Sequence, residues 1–290
     1  MLRVRRNNLK KNTLQEMLMA NNVLKLIKEN KRIDGRGFLD YRNIVIEPNV
    51  IEKPYASARV MLGDTFIIVG IHFEIGTPFS DSPDKGILIT EGEVLPTASF
   101  GAEAGPPSEE EIEISRVVDR SIRESGVVDL SELVIVPGEK VLKMFIDFNI
   151  FNDDGNIVDA AVLGAVAALL TGKMPDPKYI AEHIDEVDKM NLKDVPRVPI
   201  PVRDVPIATT LALIKDKFIV DPNYVEESVA DALITITHTM NDEICAVQLY
   251  HGGLGYEQVF EALNISLNKS KEIRNILLNQ TKAELPSGGG

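Results

Sequence analysis

Residues 153–171, DDGNIVDAAVLGAVAALLT, form a turn that runs straight into an almost uncharged stretch of small residues with the character of a helix. A glycine-containing loop opening onto a helix start is a place where proteins hold phosphate, because unpaired backbone amides point at the ligand. Yet this loop carries the carboxylates Asp153, Asp154 and Asp159 and neither Arg nor Lys. The pattern therefore reads as a phosphate site, a phosphate site that has been emptied, or a plain turn.

Working outward, the same alternation of strands and helices appears on both sides of this stretch. Residues 13–31 have apolar positions at helical spacing with Thr13 as a candidate N-cap, and RIDGRG (32–37) then breaks that helix. The runs 43–52 and 57–76 are strand-like, with Gly63-Asp64-Thr65 as a hairpin turn, and 87–94 gives a further strand. Ser108 and Glu111 form a capping box at the head of a helix expected to reach about Ser125, with Gly126 as its stop. Two strands joined at Pro137-Gly138-Glu139 lead into the turn at Asp153. Four prolines in residues 195–206 mark an extended connector. Two more hairpins follow, over 207–222 and over 230–253 with its turn at Met240-Asn241-Asp242, and a helix over about 256–283 closes the pattern. The expected organisation is an N-terminal helix and basic tail (1–31), a first subdomain (32–194), the connector (195–206) and a second subdomain (207–285). The fold class is α+β with two similar strand-plus-helix halves.

Composition excludes several classes of function. The 290 residues carry a formal charge of −13, so the average field repels nucleic acid, and RNA binding would need a local basic patch or a basic partner. There is no run of about 18 apolar residues, and the N-terminus has basic residues without the apolar core of a signal peptide, so a cytoplasmic protein without a membrane partner is expected. Cys245, the one cysteine, sits in an alternating strand run and reads as a packed thiol. His72, His183, His238 and His251 show no zinc-type spacing, so no metal site of the chain's own is expected.

KRIDGRGFLDYRNIVIEP, SARVMLGDTFIIVGI, the run from ELVIVPGEKV through the Asp153 turn and its helix, and VQLYHGG together resemble the RNase PH family. More narrowly they resemble the non-catalytic RNase PH-type subunit of the archaeal exosome ring, over about residues 30–285 and in order. The resemblance implies an RNase PH-like fold and a hexameric ring, a trimer of heterodimers with a catalytic RNase PH-type homologue. That ring degrades single-stranded RNA from its 3′ end by phosphorolysis, RNA-binding cap proteins sit on one face, and the complex uses inorganic phosphate and Mg2+. No cofactor of this chain's own is implied.

Carried over residue by residue, the resemblance speaks against catalysis by this chain. Active members have a hydroxyl and an arginine where this sequence has Ile157 and Val158, so Asn156, Ile157, Val158 and Asp159 are the expected vestige of a phosphate site. Asp159 adds charge where a dianion would sit, and like charges at about 4 Å repel by about 1 kcal/mol even in water. Of the family's catalytic Asp pair, Asp231 matches the second member, but Val225 stands six residues earlier and no glycine intervenes. The alternative is a self-sufficient phosphorolytic exoribonuclease that uses Asp231 with Glu226 or Glu227.

The helix headed by Ser108 holds Arg116, Arg120 and Arg123 along one stripe, opposite Ile114, Val117, Val118 and Ser121. From spacing alone this is a surface helix with the pairs Glu113–Arg116, Asp119–Arg123 and Arg120–Glu124. Arginines one turn apart also suit successive RNA phosphates as forked donors. The resemblance implies that Arg116 and Arg120 hold RNA at the neighbouring catalytic subunit's site, and it leaves Arg123 as a salt-bridge residue. The loop 77–86 reads as a solvated connection; in the ring such loops line the channel, which makes Lys85 the candidate channel contact. Arg3, Arg5, Arg6, Lys10 and Lys11 read as a solubilising N-terminus or a basic contact for RNA or a partner.

Overall fold

A computed structural model describes residues 14–98 and 106–285. The N-terminal helix α1 spans Leu14–Lys28, and its expected cap Thr13, like the basic cluster 3–11, lies outside the described residues. The first sheet contains β1 (Ile44–Pro48), β2 (Ala56–Leu62), β3 (Thr65–Gly76), β4 (Ile87–Val94), β5 (Val134–Val136) and β6 (Lys140–Asn152). Its order is β1-β2-β3-β6-β4, with β5 also on β6. Gly63-Asp64-Thr65 makes the β2–β3 turn as expected, since β2 pairs antiparallel with β3 from Leu62 and Thr65 outward. The exception to this meander is β4, which runs parallel to β6. That needs a crossover, and α2 (Glu109–Arg123) supplies it.

Alternation is clean along β3 and β6. Ile67, Val69, Ile71, Met144, Ile146 and Phe148 are buried, while Ile68, His72, Phe145 and Asp147 on the other face are not. The buried face packs on α3 (Ile157–Thr171), which also touches β9 (Ile207–Ile214) of the second sheet. A helix walled by two sheets must be apolar on all sides, and Val158 through Leu169 are all buried. Small residues allow the close approach: a Cβ on Gly164 would meet Val69 Cγ2 at 2.6 Å.

The second sheet adds β10 (Lys217–Val220), β11 (Ala232–His238) and β12 (Ile244–His251), in the order β10-β9-β11-β12. One face, through Thr210, Thr237 and Gln248, meets α3 and α2. Val23 and Ile27 of α1 join Ala212, Ile214 and Leu233. Against the other face lies α6 (Tyr256–Thr281), with Ala262 among Leu211, Leu213, Ile234 and Ile236. α6 continues to the first sheet, where the Gln280 amide accepts from Ile46 N at 2.6 Å and donates to Ile44 O at 2.8 Å. The layers are thus first sheet, α2 with α3, second sheet, α6.

The proline-rich stretch 195–206 is extended where Arg197–Pro199 (β8) pairs with Lys173–Pro175 (β7). It is also part of the core, since Val195, Ile200 and Val205 are buried in the main cluster. Among the described residues no helix is long and apolar enough to cross a membrane.

Candidate functional site

The turn at Asp153 is fixed from several directions. Thr65, from the first hairpin, is buried; its hydroxyl donates to Gly155 O at 2.7 Å and accepts from Asp154 N at 3.2 Å. Arg42 donates to Asp154 O, to Gly155 O and to both oxygens of Asp221, the last at 2.7 and 2.9 Å. Arg36 adds a further donor to Asp221 at 2.8 Å. Burial alone would raise the Asp221 carboxyl, but the Arg42 hydrogen bonds and charge hold it below the usual carboxylate range.

One of the backbone amides at the helix start is taken by the protein. Asn156 sits in the left-handed region at φ 56°, ψ 42° ahead of α3. Its backbone amide donates to Glu227 Oε1 at 2.8 Å, so a carboxylate takes the place that a phosphate oxygen would fill. Glu227 belongs to α5 (Tyr224–Val229), which lies against the turn: Tyr224 N donates to Asp154 O at 3.1 Å. Gly155, at φ +81°, has no room for a side chain, since a Cβ there would come within 2.5 Å of Tyr224 N.

The two residues expected to have lost the ligand groups, Ile157 and Val158, begin the packed helix, half-buried and buried. Asp159, expected as a charge at the phosphate position, has its carboxylate turned inward. Its carboxylate does not hold the helix-start amide; it is fully buried and accepts from Tyr41 Oη, Asn156 Nδ2, Thr210 N and Thr210 Oγ1 at 2.7–3.0 Å. Burial raises its pKa to about 6 against the pull of those four donors. Ile157 and Val158 bring no side-chain donor to the helix start, and the Glu227 carboxylate on the Asn156 amide repels an anion there.

The carboxylates proposed as an alternative catalytic set do not converge. Glu226 is buried and held by Arg32 through two hydrogen bonds of 2.9 and 2.6 Å, and it also closes a capping box with Asn223. Glu227 faces the Asn156 amide. Asp231 is exposed, and its Oδ2 accepts from Lys215 N at 2.8 Å, the work of a turn residue. Among the described residues, no group of three or more His, Cys, Asp and Glu is placed to hold a metal ion.

The helix α2 bears out its expected cap: Ser108 Oγ accepts from Glu111 N, and Glu111 accepts from Ser108 N. Ile114, Val117, Val118 and Ser121 are buried, and the Asp119–Arg123 pair is present at 2.8 Å. Neither the Glu113–Arg116 pair nor the Arg120–Glu124 pair forms among the described residues; Glu113 and Arg120 turn to β12 instead. Gln248 Nε2 donates to Glu113 at 2.9 Å, and Arg120 Nη1 reaches Gln248 Oε1 and Val247 O at 3.4 Å. Arg116 is exposed and makes no hydrogen bond or ion pair with the described residues. Arg116 and Arg120 thus share one solvent-facing side of α2. Lys85 is exposed in the loop between β3 and β4. Cys245 is half-buried, and burial raises its thiol to about 11, which leaves it unreactive at neutral pH.

Sequence reasoning missed the triad Arg32, Arg36 and Arg42 and their partner Asp221. The signal was there in three arginines spaced four and six apart around two glycines, but their carboxylate acceptors, Glu226 for Arg32 and Asp221 for the other two, lie 179 to 194 residues away.

Comparisons with known proteins identify the fold. The profile of the 3′ exoribonuclease family, domain 1, matches residues 40–175, and that of domain 2 matches residues 204–269. The chain is 46% identical over 268 residues to the exosome complex component Rrp42 of Thermococcus onnurineus, spanning 92% of this chain and 97% of that protein. It is 45% identical over 253 residues to the Rrp42 component of Archaeoglobus fulgidus, spanning 87% and 93%. Among solved structures, a chain of the Archaeoglobus fulgidus exosome with RNA bound to the active site superposes with a TM-score of 0.83 at 42% identity, over 91% of this chain and 99% of that one. A chain of an archaeal exosome core gives 0.79 at 39% identity, over 91% and 98%. With both domain profiles in order on a two-sheet α+β frame, the chain belongs to the RNase PH-type 3′ exoribonuclease family.

Proposed function

We propose that this chain is a non-catalytic ring subunit of an exosome, which supports 3′-to-5′ phosphorolytic RNA degradation by a catalytic RNase PH-type partner. The observation that carries the reading is at the Asn156 amide: a helix-start donor suited to a phosphate oxygen already holds the Glu227 carboxylate. What the chain retains is a solvent-facing pair, Arg116 and Arg120, suited to successive RNA phosphates at the edge of a partner's site. Phosphate and Mg2+ act at the partner's site, three heterodimers close the ring in the cytoplasm, and RNA-binding cap proteins sit on one face. Lys85 is the candidate contact for RNA in the channel.

The test is release of nucleoside diphosphate from single-stranded RNA by this chain alone, by this chain with its catalytic partner, and by the same mixture carrying Arg116→Ala/Arg120→Ala. The reading expects silence alone, activity in the mixture, and a marked loss with the double variant. Clear turnover by the isolated chain would overturn it and return Asp231 and its neighbouring glutamates to the centre.

A further inference from the structure

The two arginines differ in how they are held, and one residue on the neighbouring strand accounts for it. Glu113, Arg116 and Arg120 lie at i, i+3 and i+7 on α2, so all three project from one side of the helix. At that spacing Glu113 would pair with Arg116 and cancel its charge. That pair is absent; Glu113 Oε1 instead accepts from Gln248 Nε2 at 2.9 Å, which holds the carboxylate toward β12. The other end of the same amide, Oε1, lies 3.4 Å from Arg120 Nη1. Only one orientation of the amide serves both neighbours, since a carboxylate needs a donor and a guanidinium an acceptor.

We infer that Gln248 is a positioning residue for RNA holding: its amide holds Glu113 toward β12, away from a closed pair with Arg116, and orients Arg120. This rests on the reading of Arg116 and Arg120 as RNA contacts. A carboxylate or an apolar residue at 248 could not do the same. The first would repel Glu113 and pair with Arg120, and the second would release Glu113 toward Arg116.

The experiment measures binding of a single-stranded oligoadenylate by the ring assembled with its catalytic partner, over a series of salt concentrations. The forms compared are wild type, Gln248→Ala, Glu113→Gln, Gln248→Ala/Glu113→Gln and Arg116→Ala/Arg120→Ala. Gln248→Ala should weaken binding about fivefold and flatten the log–log salt slope by about 0.7, the loss of one neutralised phosphate on a single strand. Adding Glu113→Gln to it should restore most of both, which a general packing defect would not. The inference is overturned if Gln248→Ala leaves binding and slope unchanged while the double arginine variant loses affinity, or if Glu113→Gln gives no rescue. If the double arginine variant binds as wild type, the RNA-contact reading itself fails, and the role of Gln248 falls with it.

Discussion

Glu227 holds the backbone amide of Asn156 at 2.8 Å, so a carboxylate from α5, 71 residues further along the chain, stands at the head of α3. A charge-assisted acceptor at a helix N-terminus contributes about 0.3–2 kcal/mol. Glu227→Ala should lower stability by about 1 kcal/mol, read as a shift in the urea midpoint at unchanged slope. Inorganic phosphate should give the wild-type chain only the shallow, unsaturable rise in melting temperature of an excluded salt, with no saturable rise at low millimolar concentration. A saturable rise would show that the helix head is open after all.

Arg32 and Glu226 are a second buried relationship, with both side chains at 0% exposure. Removing one partner leaves the other charge buried, at a cost of about 3–5 kcal/mol. Glu226→Ala should therefore destabilise the chain by that amount, as measured by chemical denaturation, whatever it does to RNA.

Asp231 gives the opposite expectation. An asparagine there still offers an oxygen to Lys215 N. Asp231→Asn should leave phosphorolysis by the assembled ring within about twofold, whereas loss of an essential acid or base typically costs about 100-fold or more. A loss of that size would support the catalytic alternative.

Asp159 makes stability depend on pH in a defined window. Its folded pKa of about 6 lies above the ordinary carboxylate value of 3.8, so the folded chain binds the extra proton. Between pH 6 and about 4 its contribution should therefore grow as the solution becomes more acidic, by about 3 kcal/mol at most. Asp221 works the other way: its pKa is depressed, so the stability it lends is present at neutral pH and is lost only as the pH falls below the ordinary carboxylate range. Urea midpoints from pH 4 to 7 for wild type and Asp159→Asn should differ in slope over that window. Parallel curves would refute the assignment.

Gly155 tests the close approach of α5. At φ +81° with Tyr224 N in the way, Gly155→Ala should cost about 2–3 kcal/mol. The check is again the denaturation midpoint, with Gly253→Ala, where a Cβ meets nothing within 4 Å, as the control.

The sequence was most legible where structure is local. The capping box of Ser108 and Glu111, the Gly63-Asp64 turn and the apolar stretch after Asp153 each have their partners within a few residues, so spacing alone was enough. Legibility failed where a local rule competed with a distant partner. Glu113 and Arg116 obey the i, i+3 rule on paper, but Gln248 takes the carboxylate from 135 residues away. Asp159 looked like a charge at the phosphate position, yet Thr210 and Tyr41, neither near it in sequence, draw it into the interior. The parallel pairing of β4 with β6 was equally hidden, because strand periodicity carries no sign of direction.

Because α3 lies between the first sheet and β9, neither half has a complete interior of its own. Severing the backbone within 195–206 would leave one fragment with an uncovered helix and the other with a bare sheet face. The pieces would then have to find each other to fold, as two strangers completing one core. For a subunit whose proposed work is done in company, the requirement for a complement begins inside the chain itself.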